Sequence, residues 1–375
     1  MKDVTGLTYF IMVAISKDTK MLLTPPSSTK KPVVESNVGK VTPRRLFARG
    51  KSGRKPRLKS RPAPFTIFSI DDYLSGITSE KHSSDGAAEF LRYAFQYSKK
   101  IVAVVGAGIS VAAGIPDFRS SEGLFETLKG DSVASGKELF DFNRVYSSDE
   151  MSKKFHSMIV DLHSLSQKSE PTKFHLLLDH LASQQRLVRL YTQNIDGLDT
   201  RLENLKTTVP LDKPIPTTIQ LHGSVDYMEC NLCAKIDCFN PEAFENEGEI
   251  IPLCPQCKEF DEVRKVAGIR SKGLGKLRPR VVLYNEVHPE GDLIGQVSNK
   301  DLKQKIDFLL IAGTSLKIPG VLQMCKKFIE KVVKNKGIVI YFNKEMPTQS
   351  LLKSLGHIDL IVLGDCQNIS DLLSL

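Results

Sequence analysis

The sequence lacks any apolar run of the roughly 18 to 20 residues that a membrane-spanning helix needs, so no transmembrane segment and no membrane partner are expected. It also has few cysteines. Five of the seven lie between positions 230 and 257, which is too few and too clustered for a disulfide scaffold and favours a reducing compartment. Its 41% hydrophobic and 25% charged side chains exclude a collagen-like or wholly disordered chain, and 375 residues allow about two domains.

Acidic residues are scarce in the first 64 positions, which hold 15 basic and 3 acidic side chains in a chain of net charge +9. Residues 25–64 are rich in Pro, Ser, Lys and Arg, a composition that favours disorder. Residues 44–61 include nine basic side chains and no acidic one, which suits a nuclear-import receptor or the phosphates of nucleic acid, with a merely solvated tail as the alternative. Residues 4–15 are apolar enough to resemble the core of a secretion signal. The acidic Asp3 precedes them, where such signals carry positive charge, so secretion is disfavoured.

Short apolar runs recur after residue 65, at 101–105, 187–191, 308–312, 338–342 and 360–363. The first run is continuous rather than alternating, which is typical of a parallel strand buried on both faces, and a helical pattern over 84–99 precedes it. Segments long enough for helices separate the runs. The sequence therefore predicts an α/β fold with a doubly wound, Rossmann-like parallel sheet.

A glycine turn, Gly106-Ala107-Gly108, follows the first run. Glycines there let the backbone approach a pyrophosphate, although a tight turn without a ligand is the alternative. Position six of a G-x-G-x-x-G fingerprint is Val111, which is larger than the glycine or alanine of hydride-transfer enzymes, so an ordinary dehydrogenase is disfavoured. Polar segments also follow later strands, at 192–197, 221–224 and 313–315, and we expect them to meet at one crevice.

Four cysteines form two chelating pairs, Cys230-x2-Cys233 and Cys254-x2-Cys257, with twenty residues between the pairs. This spacing predicts a tetrahedral zinc site. Four thiolates leave no coordination position for water, so the zinc is expected to be structural. Cys238 lies between the pairs, but its spacing fits neither, so we expect a thiol that is not a ligand.

The motifs GAGIS, GIPDFRS, TQNIDGL, LHGS, the CxxC pair and GTSL occur in the order and spacing of the sirtuins, and the chain resembles that family of NAD-dependent protein deacylases over about residues 84–370. The basic leader and GTSLKIPG resemble its fungal nuclear branch, which acts on histones. The resemblance implies a nuclear protein-lysine deacetylase with NAD and zinc, an acetylated histone as substrate, chromatin as partner, and a role in silencing or genome maintenance. It further implies that acetyl-lysine displaces nicotinamide from NAD and that O-acetyl-ADP-ribose is released.

The resemblance also assigns roles to positions in this sequence. His222 would be the general base, acting through the ribose hydroxyls, and Asn194 and Asp196 would be the other catalytic positions, lining the nicotinamide and ribose pocket. Phe118 would shield the reaction face. The full set of implied cofactor-binding residues is Gly106, Ala107, Gly108, Ile109, Ser110, Asp117, Phe118, Arg119, Gln193, Asn194, Ile195, Asp196, His222, Gly313, Thr314, Ser315, Asn343, Lys344, Glu345 and Cys366.

The implied organisation is a basic, mostly disordered extension at 1–64 followed by a catalytic domain at 65–375. Its large NAD-binding lobe would comprise about 84–113, 185–228 and 272–375. The small lobe would comprise a helical module at 114–184 and a zinc ribbon at 229–271. Residues 281–286 would hold the acetyl-lysine peptide by strand addition, and Tyr284 and Asn285 stand where many relatives have Phe and Gly. Residues 204–218 are expected to form a surface loop.

Two other functions stay open at this point. One is a catalytically weak chromatin-binding module that recognises NAD and acyl-lysine and uses the basic segment for nucleic-acid contact. The other is a protein ADP-ribosyltransferase that uses the same displacement of nicotinamide. The presence of His222, Asn194 and Asp196 favours turnover over binding alone.

Overall fold

The computed structural model describes residues 58, 60–77, 81–117, 138–245 and 251–374. The strands are β1 (Thr66–Ser69), β2 (Ile101–Val105), β3 (Leu187–Thr192), β4 (Thr218–Gln220), β5 (Gly223–Cys230), β6 (Ile236–Cys238), β7 (Leu277–Val281), β8 (Phe308–Ala312), β9 (Ile338–Asn343) and β10 (Leu360–Leu363). The α-helices are α1 (Ile70–Leu74), α2 (Lys81–Tyr97), α3 (Phe142–Val145), α4 (Asp149–Lys168), α5 (Lys173–Ser183), α6 (Pro241–Glu245), α7 (Pro255–Val266), α8 (Gly291–Asp301), α9 (Pro319–Lys334), α10 (Gln349–Leu355) and α11 (Asn368–Leu373). Short 3-10 turns cover Ala107–Ile109, Val111–Ala113, Glu138–Phe140, Asp199–Arg201 and Glu203–Leu205.

Seven of these strands form a parallel sheet in the order β1-β10-β9-β8-β2-β3-β4. The chain moves from β2 through β3 to β4 on one side and later from β8 through β9 to β10 on the other, so the strand order reverses between β2 and β8. Ligand crevices of open α/β sheets lie at such reversals, outside the carboxyl ends of the strands. The predicted Rossmann-like α/β fold is confirmed, and the five predicted strands match β2, β3, β8, β9 and β10 to within one residue.

The central strand β2 separates two hydrophobic cores. Ile101, Ala103 and Val105 pack into the core shared with α2, α5 and α11. Val102 and Val104 pack into the core shared with α8, α9 and α10. Because helices cover both faces, every side chain of β2 is buried, which explains why its sequence is a continuous apolar run.

A smaller module contains the antiparallel sheet β6-β5-β7 together with α3, α4 and α6, around a core of its own. Its composition differs from the division expected from the sequence. Helix α5 was expected in the small lobe, yet Phe174 and Leu178 bury its apolar face in the core of the large sheet. Strands β5 and β7 were expected largely in the large lobe, yet they pair with each other and bury Val225 and Leu277 in the small core.

The loop at 204–218 lies at the surface but is held at several points. The backbone N–H of Asn204 donates to Asp179 at 2.8 Å, Leu211 N–H donates to Glu290, and Arg189 donates to the carbonyl oxygen of Pro216. Residues 1–57, and with them the expectation of disorder there, lie outside the described part of the chain. No helix within the described ranges has both the length and the apolar character needed to cross a bilayer.

Candidate active site

The glycine turn after β2 lies directly against the turn after β8. Gly108 N–H donates to Gly313 O at 2.9 Å, and Gly106 N–H donates to Ala312 O at 3.1 Å. A Cβ atom at Gly106 would lie 2.8 Å from both Gly313 O and the Thr314 Cβ, closer than packed side chains approach. The glycines are therefore required by contact between two backbone turns, a reason that the sequence argument about pyrophosphate did not include.

The chain leaves the glycine turn through two 3-10 turns, Ala107–Ile109 and Val111–Ala113, and Val111 is 45% exposed. A long helix begins at this point in dinucleotide-binding hydride-transfer enzymes. The described residues 106–117 contain no such helix, in agreement with the sequence argument against an ordinary dehydrogenase.

Asn194 follows β3 and is 2% exposed. Its Nδ2 donates to Ser110 Oγ at 3.1 Å, and its backbone N–H donates to Thr192 Oγ1 at 3.2 Å. Within the described residues, Asn194 Oδ1 is buried without a hydrogen-bond partner. An unsatisfied buried acceptor costs about 1–3 kcal/mol, so this oxygen favours a ligand that brings a donor.

Asp196 lies two residues further along and is also buried. Leu198 N–H donates to its Oδ1 at 2.9 Å, and the Ser110 hydroxyl also bonds to this carboxyl group. Burial raises the pKa of Asp196, and the neighbouring Asp199 carboxyl raises it further. Ser110 therefore contacts two of the three predicted catalytic side chains, those of Asn194 and Asp196.

His222 follows β4, next to the segment that carries Asn194 and Asp196. Leu221 N–H donates to Thr192 O at 2.8 Å, and Val225 N–H donates to Ile195 O at 2.8 Å. These two bonds on either side of His222 join its turn to the turn after β3. The structure thus brings His222 to the same sheet edge as the other two predicted catalytic residues.

A small pocket, partly open to solvent, lies at this edge of the sheet. Its lining residues are Ala107, Ile115, Pro116, Leu162, Asn194, Ile195, Asp196 and Val225. Mostly apolar walls with a few polar groups are typical of small-molecule sites. Four of the predicted cofactor-binding residues, Ala107, Asn194, Ile195 and Asp196, are among them.

Several other predicted residues adjoin the glycine turn and the turn after β8. The Gln193 amide donates to Thr314 Oγ1 at 2.8 Å and to Val105 O at 3.3 Å. Cys366 is buried, with its Sγ 3.7 Å from Gly108 O. Asn343 ends β9 and is half-buried, whereas the side chains of Ser315, Lys344 and Glu345 are exposed. Asp117 is half-buried, and Phe118 and Arg119 lie outside the described residues.

Two residues that the sequence argument missed hold the glycine turn in place. The Ile109 carbonyl oxygen accepts from Thr172 Oγ1 at 3.1 Å and from Gln367 Nε2 at 3.2 Å. Gln367 Oε1 in turn accepts from Phe174 N–H at 2.9 Å. The turn is therefore fastened to the starts of α5 and α11. Neither residue belongs to a local motif, so only the folded contacts identify them.

The backbone of residues 281–286, the segment expected to bind the peptide, already forms hydrogen bonds with another part of the chain at Tyr284. Tyr284 N–H donates to Phe140 O at 2.7 Å, and Phe142 N–H donates to Tyr284 O at 3.0 Å. Asn285 has a positive φ of 63°, a backbone conformation that glycine adopts without strain, and its Nδ2 donates to Asp141 Oδ2 at 2.7 Å. A peptide added as a strand has to use backbone groups other than those of Tyr284.

The four paired cysteines come together at one end of β5. The Sγ atoms of Cys230 and Cys257 are 3.6 Å apart, those of Cys233 and Cys254 are 3.7 Å apart, and all four lie within 4.8 Å of one another. Sulfurs bound tetrahedrally at the usual Zn–S distance of about 2.3 Å are roughly 3.8 Å apart, so the group fits zinc. Cys238 is exposed and does not belong to the cluster, as expected from its spacing.

Gly275 makes room for these sulfurs. A Cβ atom there would collide with the Cys230 Sγ and would lie 3.0 Å from the Cys257 Sγ. The Gly275 carbonyl also accepts from Cys254 N–H at 2.8 Å. No sequence pattern identifies Gly275, because it lies outside both cysteine pairs.

Comparison with known proteins identifies the family. A model described as the Sir2 family matches residues 106–320. The NAD-dependent histone deacetylase HST4 of Saccharomyces cerevisiae is 54% identical over 365 residues, covering 94% of this chain and 98% of the relative. The NAD-dependent protein deacetylase hst4 of Schizosaccharomyces pombe is 50% identical over 73% of this chain and 66% of its own length.

The crystal structure of a Sir2 homologue–NAD complex has the same fold, with a TM-score of 0.56 at 22% identity, over 76% of this chain and 92% of that one. The family resemblance inferred from the motifs is thus confirmed by sequence and by fold. The chain belongs to the Sir2 family, the sirtuins.

Proposed function

We propose that this protein deacetylates histone lysines in the nucleus and converts NAD to nicotinamide and O-acetyl-ADP-ribose. As a Sir2-family member, the chain is an NAD-dependent protein deacetylase, and its four-cysteine cluster suits structural zinc. Two relatives in Saccharomyces cerevisiae, at 54% and 37% identity, are named histone deacetylases, which supports histones as the substrate. A role in silencing or genome maintenance belongs to the same proposal.

The observation that carries the proposal is the buried Asn194 Oδ1, an acceptor without a partner among the described residues, in a mostly apolar pocket. A nicotinamide carries a flat ring and a carboxamide with two N–H donors. Ile115, Pro116 and Ile195 offer apolar contact to such a ring, and Asn194 and Asp196 offer the polar contacts. These residues therefore fit the nicotinamide end of NAD.

Bound NAD would supply an electrophilic ribose carbon with nicotinamide as leaving group. The protein's own part is to hold and orient the reactants and to exclude water. The backbone turns at Gly106–Ser110 and Gly313–Ser315 would hold the phosphates and ribose, with Gln193 fixed between them by its bond to Thr314. Asn343, Lys344, Glu345 and the backbone of Cys366 would contact the adenosine end. Asp117, Phe118 and Arg119 would hold the cofactor from the segment after the glycine turn.

His222 would act as the general base toward a ribose hydroxyl. A neutral imidazole can accept a proton from such a hydroxyl. The backbone bonds of Leu221 and Val225 fix its turn beside Asn194 and Asp196. The zinc would take no part in proton transfer, because four thiolates complete its coordination and hold the small module together.

The basic segment at 44–61 supports the nuclear and chromatin part of the proposal. Nine basic residues among 18 positions suit an import receptor, and the same charges can contact the phosphates of chromatin DNA. We accordingly propose that the protein acts on chromatin.

The test is deacetylation of an acetylated histone peptide by the full chain, with and without NAD, compared with the variant His222→Ala. We expect deacetylation only with NAD, and its loss by at least about 100-fold in the variant, which should still bind NAD. Peptide binding without deacetylation would instead support the alternative of a catalytically weak chromatin-binding module. ADP-ribosylated protein with acetyl groups retained would select the transferase.

A further inference from the structure

A buried pair of ionisable side chains lies next to the Asn194–Asp196 segment and has no role in the chemistry described above. His175 on α5 and Asp199 after the segment are almost completely buried, and His175 Nε2 lies 3.6 Å from Asp199 Oδ1. Within the described ranges neither of these two atoms has a hydrogen-bond partner. Removing two ionisable groups from water costs free energy, unless favourable interactions within the fold offset that cost.

The hydrogen bonds at the start of α5 determine which nitrogen of His175 carries the proton. Thr172 N–H donates to His175 Nδ1 at 3.2 Å, and the Thr172 hydroxyl oxygen lies 2.8 Å from the same nitrogen. When Nδ1 accepts from Thr172 N–H, the proton of the neutral ring is on Nε2, which faces Asp199. Burial lowers the pKa of His175 to about 4, so the ring is neutral at physiological pH. His175 therefore presents one N–H donor to Asp199.

Asp199 is connected to both ends of the Asn194–Asp196 segment. The Thr192 side chain bonds to the Asp199 carboxyl, and the same hydroxyl oxygen accepts from Asn194 N–H at 3.2 Å. At the other end, the Asp199 carboxyl is close enough to Asp196 to raise the pKa of Asp196. A change in the charge or position of Asp199 is thus transmitted to both residues.

The ionisable groups that face Asp199 are His175 from α5 and Asp196 from its own loop. The adjacent cation, Arg201, is directed elsewhere and donates to the carbonyl oxygens of Ser166 and Ser169. Burial raises the pKa of Asp199 to about 6. Its charge therefore changes just below neutral pH, while His175 stays neutral.

We propose that His175 and Asp199 are positioning residues that hold the Asn194–Asp196 segment in the conformation that binds the nicotinamide end of NAD, and that ionised Asp199 holds it more firmly. An ionised carboxylate accepts a stronger hydrogen bond from the Thr192 hydroxyl than a neutral carboxyl does, and it attracts the His175 N–H, 3.6 Å away, more strongly. The inference relies on the proposed function for the ligand and for which end of it meets the segment.

The test measures the dissociation constants of NAD and of ADP-ribose, which lacks nicotinamide, by isothermal titration calorimetry on the full chain between pH 5 and 8. For the parent we expect NAD to bind more tightly as the pH rises through about 6, and ADP-ribose to show no such step. Asp199→Asn keeps the shape but stays neutral. It should weaken NAD binding about tenfold at pH 8, abolish the step and leave ADP-ribose binding unchanged.

A second variant separates positioning from helix stability. Gln at the position of His175 can still accept from Thr172 N–H as in a capping box, but it presents no N–H at the place of Nε2. His175→Gln should therefore fold normally and weaken NAD binding like Asp199→Asn. Asp179→Asn on the same helix, where Asp179 accepts from Asn204, is the matched control and should bind NAD like the parent.

Parent-like NAD affinity and an unchanged pH step in both variants would overturn the inference. Equal weakening of NAD and ADP-ribose would overturn it as well, since that pattern indicates general damage to the site. The proposed deacetylase function fails separately, if the parent binds NAD but does not deacetylate the histone peptide.

Discussion

Arg61 binds Asp359 through two parallel bonds, Nε to Oδ1 and Nη2 to Oδ2, each 2.7 Å long. Asp359 is 1% exposed and also accepts from Val339 N–H at 2.8 Å. Arg61 is the last residue of the basic run at 44–61. One end of this run is therefore part of the folded domain, and its charge is committed to a buried carboxylate.

Loss of the Arg61 side chain should destabilise the fold. Arg61→Ala leaves the Asp359 carboxylate buried with fewer partners, so we expect the free energy of unfolding to fall by about 1–3 kcal/mol in urea denaturation. The control is Lys173→Ala, which breaks the exposed pair with Asp371 and should cost less than about 1 kcal/mol. Equal effects of the two changes would contradict the structural role of Arg61.

The same contact defines how a nuclear-import segment can be removed cleanly. Deleting residues 40–57 keeps Arg61 and should disperse a fluorescently tagged protein from nuclei, without lowering its melting temperature or its activity on a peptide. Deleting residues 40–64 should also lower the melting temperature, because Asp359 loses Arg61. Nuclear retention after the shorter deletion would refute the import role of the basic run.

A methyl group at Gly275 should disturb zinc binding. Gly275→Ala places a Cβ against the sulfurs of Cys230 and Cys257, so we expect faster release of zinc to a chromogenic chelator and a lower melting temperature. Gly295→Ala on α8 is the control, since nothing lies within 4 Å of the added Cβ and alanine favours a helix. Parent-like zinc release in Gly275→Ala would show that the packing is less tight than described.

A methyl group at Gly106 should separate the two backbone turns of the cofactor crevice. The added Cβ would lie 2.8 Å from Gly313 O, so Gly106→Ala is expected to weaken NAD binding by at least about tenfold in calorimetry. Gly86→Ala on α2, whose Cβ would meet nothing within 4 Å, should leave binding unchanged. Full NAD affinity in Gly106→Ala would mean that the contact between the turns does not shape the crevice.

Asp199 should also make stability depend on pH. The folded state raises its pKa from 3.8 to about 6, so the folded protein binds the proton more tightly than the unfolded chain. This contribution to stability is present below about pH 4 and is lost as the pH rises to about 6. Asp199→Asn should remove the loss and raise the free energy of unfolding at pH 7 by up to about 3 kcal/mol, while it weakens NAD binding. A less stable variant at pH 7 would contradict this assignment.

The sequence predicted those parts of the fold that local patterns determine. Continuous apolar runs identified β2, β8 and β10 with correct ends, and cysteine spacing identified the cluster of Cys230 and its partners. It misassigned α5 and β5 to lobes, because the core into which an apolar face packs is decided by the tertiary fold.

At the site, motif residues such as Asn194 could be placed from the sequence, but their supporting residues could not. Gln367 reaches Ile109 across 258 positions, and His175 reaches Asp199 from another helix. Long-range contacts of this kind leave no periodicity or spacing in the sequence. The reason for glycine at Gly106, which is contact with the turn after β8, likewise requires the folded backbone.

The most direct measurement of the central claim follows the products of a single reaction with NAD and an acetylated histone peptide by mass spectrometry. We predict that nicotinamide, O-acetyl-ADP-ribose and deacetylated peptide appear in equal amounts. Deacetylated peptide accompanied by free acetate without consumption of NAD, or nicotinamide released while the peptide stays acetylated, would contradict it.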